Sequence, residues 1–190
     1  MAASRKQINV LFAILAVCLA AAAVLSAIRT PRTVVRTESE ATLPEDHPPM
    51  ETVRKLTDLI RMSEEDPQNA SVHEEIGNIY YDLKEYGRAE ASYRRSLALE
   101  PGDPRVETDL ATCLYYLGRH DEAAAVLDGV LGRDPGFAQA LYNKGIVLIH
   151  GKNDIEGGLR AWRALLELET DPARRAELQE SIRQLEASAR

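Results

Sequence analysis

The stretch 76–104, IGNIYYDLKEYGRAEASYRRSLALEPGDP, is answered 34 residues later by 110–138, LATCLYYLGRHDEAAAVLDGVLGRDPGFA. Ile76, Gly77, Tyr80, Tyr86, Ala89, Tyr93 and Ser96 stand at the offsets of Leu110, Ala111, Leu114, His120, Ala123, Leu127 and Val130. Pro67, Pro101 and Pro135 keep the same spacing. A fixed period of this length means small helical units stacked side by side, because no single unit can hide its apolar face alone.

Each period holds two antiparallel helices. Ile76, Ile79, Tyr80 and Leu83 fall at helical spacing and give the first helix an apolar stripe. Tyr86-Gly87 breaks that pattern, and Ala89, Tyr93, Ser96 and Leu97 stripe the second helix. Gly77 and Ala89, then Ala111 and Ala123, are the small residues needed where two helices cross closely. Each proline closes a helix, since it lacks an N–H and steers the residue before it out of the α region. Glu100-Pro101-Gly102-Asp103-Pro104 and Asp134-Pro135-Gly136 are turns.

The pattern Gly77, Tyr80, Ala89, Tyr93, Pro101 and then Ala111, Leu114, Ala123, Leu127, Pro135 resembles the tetratricopeptide repeat, whose period is 34 residues. The position often held by Trp in that family is His73 in one unit and Glu107 in the next. The resemblance covers roughly residues 50–188 and implies an all-α solenoid of about three repeats, at 67–171, with flanking helices. In the third unit Phe137, Leu141, Gly145 and Leu148 suit the first helix, and His150–Asp154 reads as a lengthened turn. Gly158, Trp162, Leu165 and Leu166 follow, with Trp162 expected as a large knob in the core. Residues 51–66, with Val53, Leu56, Leu59, Ile60 and Met62 on one side, read as an N-terminal capping helix. Residues 172–190 read as a C-terminal cap, striped by Leu178, Ile182 and Leu185 and solvated by Arg174, Arg175, Glu177, Glu180 and Arg183.

Upstream the composition changes. After a short tail, residues 1–7, the run 8–28 carries no charge and is flanked by Arg5-Lys6 and by Arg29, Arg32 and Arg36. At about 1.5 Å per residue a helix of this length spans a hydrocarbon core of about 30 Å. A single-pass transmembrane anchor is expected there, with a cleaved signal peptide as the alternative. Cys18 lies within the run and reads as an apolar residue of the span, not a lipid-modified one. Basic residues nearly balance across the run. The short leading tail favours an inner-membrane protein whose repeats face the periplasm. Residues 29–50, with Pro31, Pro44, Pro48 and Pro49, form an extended linker.

Function classes narrow on charge and motif. The net charge is −7, which argues against nonspecific nucleic-acid binding. His47, His73, His120 and His150 show no metal-ligand spacing, no phosphate loop or nucleophile motif occurs, and neither catalysis nor a cofactor is expected. Cys18 and Cys113 do not suggest a disulfide. What remains is a surface. In the repeats this chain resembles, first helices line a peptide groove. Transferred by offset, that groove holds Asn78, Tyr81, Arg105, Thr112, Tyr115, Tyr142 and Ile149, with Tyr81 and Tyr115 at one offset as a ladder. The Lys/Asn/Arg set with which co-chaperones of the family grip a terminal carboxylate is matched only at Asn78, since Glu74, Asp109 and Gln139 occupy neighbouring offsets. The expected function is a membrane-anchored scaffold for a protein or peptide partner in an envelope complex. The Trp162–Leu166 segment also resembles repeat proteins of cytochrome c maturation, which implies presentation of apocytochrome to a haem lyase. A self-assembling structural subunit is the alternative.

Overall fold

A computed structural model describes residues 48–188. They form eight α-helices: α1 Met50–Glu65, α2 Ala70–Asp82, α3 Tyr86–Leu99, α4 Pro104–Tyr116, α5 His120–Arg133, α6 Ala138–Ile146, α7 Ile155–Leu168 and α8 Pro172–Ser188. Pairs α2/α3, α4/α5 and α6/α7 are the three units; α1 packs on α2, and α8 packs on α7. The side chains of Asn69, Asp103 and Asp154 accept from the backbone N–H of Val72, Arg105 and Gly157, which caps the start of α2, α4 and α7.

Each hairpin is set by one contact. Tyr93 of α3, Leu127 of α5 and Trp162 of α7 are buried knobs that press on the first helix of their own unit. Opposite them stand Gly77, Ala111 and Gly145. A Cβ on Gly77 would lie 2.6 Å from Cε1 of Tyr93, and one on Gly145 would overlap the Trp162 indole. The largest partners thus face glycine, and leucine faces alanine. The Trp162 indole N–H also donates to the Tyr142 carbonyl at 3.1 Å, so the knob is anchored as well as packed.

The first two units turn in one way. Lys84 and Gly118 take positive φ, 59° and 77°, and the N–H groups of Glu85 and Arg119 reach back to the carbonyls of Tyr80 and Leu114. The third unit departs from the lengthened turn expected at His150–Asp154. One extra residue separates Ala123 from Gly158 relative to the step from Ala89 to Ala123. It is absorbed inside the helix, as a π-helical turn at Val147–Gly151, with Lys152 N–H donating to the Val147 carbonyl at 3.0 Å. The positive φ then falls on Asn153. Helix α7 has the length of α3 and α5, 14 residues, so the further residues before Pro172 lie in the Glu169–Asp171 connection. Arg175, expected to be solvated, instead bonds the carbonyls of Leu166 and Glu169 and closes the end of α7.

Among the described residues no helix is long and apolar enough to cross a membrane. The expected anchor, 8–28, and most of the linker, 29–47, lie outside the described residues.

Gly145→Ala is expected to lower stability by about 1–3 kcal/mol, the range for overpacking a closed core. Combining it with Trp162→Leu recreates the Ala111/Leu127 pairing. Denaturant melts of the cycle should show the double variant more stable than additivity of the single changes allows; strict additivity would deny the contact its role.

Candidate functional site

The first helices of the units lie side by side, α2 against α4 through the core and α4 directly against α6. Their outward stripes form one surface. Tyr81 from α2, Thr112, Tyr115 and Tyr116 from α4, and Tyr142, Asn143 and Ile146 from α6 enclose a cavity of about 300 Å³. Of the seven residues expected to line a groove, four meet there: Tyr81, Thr112, Tyr115 and Tyr142.

The other three do not. Ile149 is buried in the packing of α6, α7 and α8, because the π-helical turn rotates the offset shared with Tyr81 and Tyr115 into the core. Arg105 is exposed at the start of α4 and paired with Asp103 at 3.0 Å. Asn78 is exposed, but its side-chain oxygen accepts a bond from the Tyr93 hydroxyl at 2.7 Å, so a partner would have to compete for it. Thr112 accepts from the Asn143 amide at 3.0 Å, which ties α4 to α6 across the cavity floor.

Two aromatics were missed by offset reasoning. Tyr86 and Tyr116 stack at 4.4 Å with their rings 9° from parallel, and Tyr81 meets each edge-on. Tyr115 meets Tyr116 and His120 in the same way. Tyr116 directly follows the offset position Tyr115, and Tyr86 stands alone between Glu85 and Gly87, so neither falls on the first-helix offsets. The result is a rigid aromatic wall with Tyr116 half exposed. Burial, then Tyr116 beside it, pushes the Tyr81 hydroxyl up to about 12, so it stays a hydrogen-bond donor.

Next to the wall lies a carboxylate. Burial pushes Asp109 up to about 6, against the Gln139 amide that donates to it at 3.1 Å; the charge of Glu74 adds to the rise and that of Arg105 opposes it. Cys113 is buried, and burial followed by Asp109 pushes its thiol up to about 12, which leaves it unreactive. Among the described residues no three His, Cys, Asp or Glu side chains converge as a metal site.

Two family models, both described as tetratricopeptide repeat, match residues 53–104 and 80–145. Over residues 53–145, about half of the chain, the sequence is similar to that family's repeat. U-box domain-containing protein 70 of Oryza sativa subsp. japonica is 30% identical over 118 residues, 58% of this chain, and the match spans only 15% of that relative's length. MamA from Desulfovibrio magneticus RS-1 is similar in fold, with a TM-score of 0.59 at 20% identity over 73% of this chain and 88% of that one. The first tetratricopeptide domain of Spaghetti (RPAP3), bound to the HSP90 peptide SRMEEVD, has a TM-score of 0.57 at 21% identity over 65% of this chain and 95% of that one. At these identities the likeness to the solved structures is one of fold. The tetratricopeptide pattern accounts for the knobs and turns but leaves the tyrosine wall and Asp109 as features of this chain.

Asp109 makes a pH test. Its folded pKa lies above its ordinary value of 3.8, so between about pH 4 and 6 the folded state holds the extra proton. Stability therefore falls as pH rises through that window. Asp109→Asn should raise stability at pH 7 by about 1 kcal/mol, discounted because the carboxylate keeps some contact with water. The gain should vanish below about pH 4, where the carboxyl is protonated folded or unfolded. Thermal melts across pH check this, and an equal gain at low pH would contradict it.

Proposed function

We propose that the chain is a non-catalytic scaffold whose first-helix face holds a protein or peptide partner. One observation carries the reading: three successive repeats bring Tyr81, Tyr115 and Tyr142 together around one cavity, with hydroxyls and amides at its edge. Rigid aromatic rings with polar tips give contact area at little entropic cost. The solved RPAP3 domain of the same fold carries a bound peptide, which supports peptide capture by a fold of this kind.

The proposal extends to attachment. Residues 8–28 anchor the chain as a single pass in an inner membrane, the proline-bearing linker holds the repeats off the surface, and the repeats face the periplasm as part of an envelope complex. A narrower form, resting on the Trp162–Leu166 segment, makes the partner an apocytochrome awaiting haem attachment. The competing reading is self-association. It draws on α1, the first of the described helices, where Met50, Val53, Ile60 and Met62 are exposed.

A photoreactive residue placed at Tyr116 in the native membrane tests the site. It should yield a discrete adduct with another protein that is lost in the Tyr81→Ala, Tyr115→Ala double variant, while the melting curve keeps its cooperativity. Adducts with a second copy of the chain would favour self-association. Adducts indifferent to the tyrosines, or equally strong from a probe at exposed Ala98 on α3, would remove the groove as the site.

A further inference from the structure

The groove has an uncompensated charge. Around the start of α4, three carboxylates, Asp103, Glu74 and Asp109, surround a single guanidinium, Arg105. Arg105 directs its hydrogen bonds to Asp103. Glu74 and Asp109 are in no ion pair among the described residues, and the side-chain partner of Asp109 is the neutral Gln139 amide. Arg174, which shares a neighbouring cavity with Tyr142, is engaged with Glu169 at 3.4 Å. A half-buried carboxylate without a counter-charge is costly to the folded chain, and that cost falls when an opposite charge arrives.

One helical turn along α4 from Asp109 lies Thr112, at the cavity where Tyr81, Tyr115, Tyr116 and Tyr142 gather. Tyrosine faces attract cations, and the chain already makes such a contact, with the Arg88 guanidinium 5.5 Å from the Tyr80 ring centre. Carboxylates and aromatic faces on one stripe complement the same ligand.

We propose that the groove takes a cationic segment: an extended stretch of polypeptide bearing arginine or lysine, its side chains laid over the tyrosines and their charges directed to Glu74 and Asp109. The proposal rests on the reading of this face as the docking site and adds the sign of charge of what docks. The net charge of −7 steers the same ligand toward the chain. An acidic tail would meet like charges at Glu74 and Asp109.

The full chain in detergent is titrated with three fluorescently labelled peptides that differ only in carrying arginine, glutamine or glutamate at alternate positions. The arginine peptide should bind about tenfold tighter than the glutamine peptide, with an affinity that weakens as salt rises, and the glutamate peptide weakest of all. Glu74→Gln with Asp109→Asn should bring the arginine peptide down to the glutamine level. Glu156→Gln with Glu167→Gln, exposed carboxylates on α7, should leave it unchanged. Equal binding of the three peptides, tighter binding of the glutamate peptide, or equal loss in the α7 variant would overturn the proposal. If binding then still depends on Tyr81 and Tyr115, the groove stands and only its charge preference fails. If no peptide binds, or binding ignores the tyrosines, the docking reading falls with it.

Discussion

The structure depends on how closely two helices of one hairpin can approach at a single level. Gly77 against Tyr93, Ala111 against Leu127 and Gly145 against Trp162 are one contact solved three times, with the volume on one helix traded against the volume on the other. Interiors packed to crystal-like density leave no slack for both residues to be large. Because the knob sits at the same height in every unit, the first helices come out in register. Their outward stripes then align as one face, and the tyrosine cavity follows from that alignment without any loop to build it.

Between units the stacking is nearest-neighbour. One buried cluster runs from Ala89 and Tyr93 through Val106, Leu110, Leu114 and Leu127 to Ala140 and Val147, so α3, α4, α5 and α6 share apolar contacts. Separate clusters tie α1 to α2 and α7 to α8. Ion pairs cross the seams at Arg119 with Glu90 and Lys152 with Asp121, while Arg133 with Glu107 spans the α4/α5 hairpin. Exposed pairs of this kind contribute at most about 1 kcal/mol each. The continuous apolar cluster and the knobs hold the stack, and the charges favour its register.

The repeat was legible because its causes are local. Prolines at a constant spacing, small residues at crossings and helical stripes each state their physics in the sequence. Tyr81, Thr112, Tyr115 and Tyr142 come together around one cavity because equal offsets share a face wherever the helices are regular. Ile149 failed for the same reason: one inserted residue became a π-helical turn, and a count of positions cannot tell an insertion in a loop from one inside a helix. The pairing of Asn78 with Tyr93 is invisible to offset counting, since it joins residues on different helices of one hairpin. Tyr86 and Tyr116 stack across two repeats, so their sequence positions carry no sign of the contact. Arg175 read as solvated because a charged side chain that bonds carbonyls at a helix end leaves no periodic mark.

The central claim is that residues 48–188 are a row of hairpins, each held by its own knob and its immediate neighbours. Native-state hydrogen exchange of the full chain tests it most directly. The account predicts a gradient, with the amides of α4 and α5 protected most, and α1 and α8 opening in separate low-energy steps. A single uniform protection level from α1 to α8, lost in one transition, would contradict it.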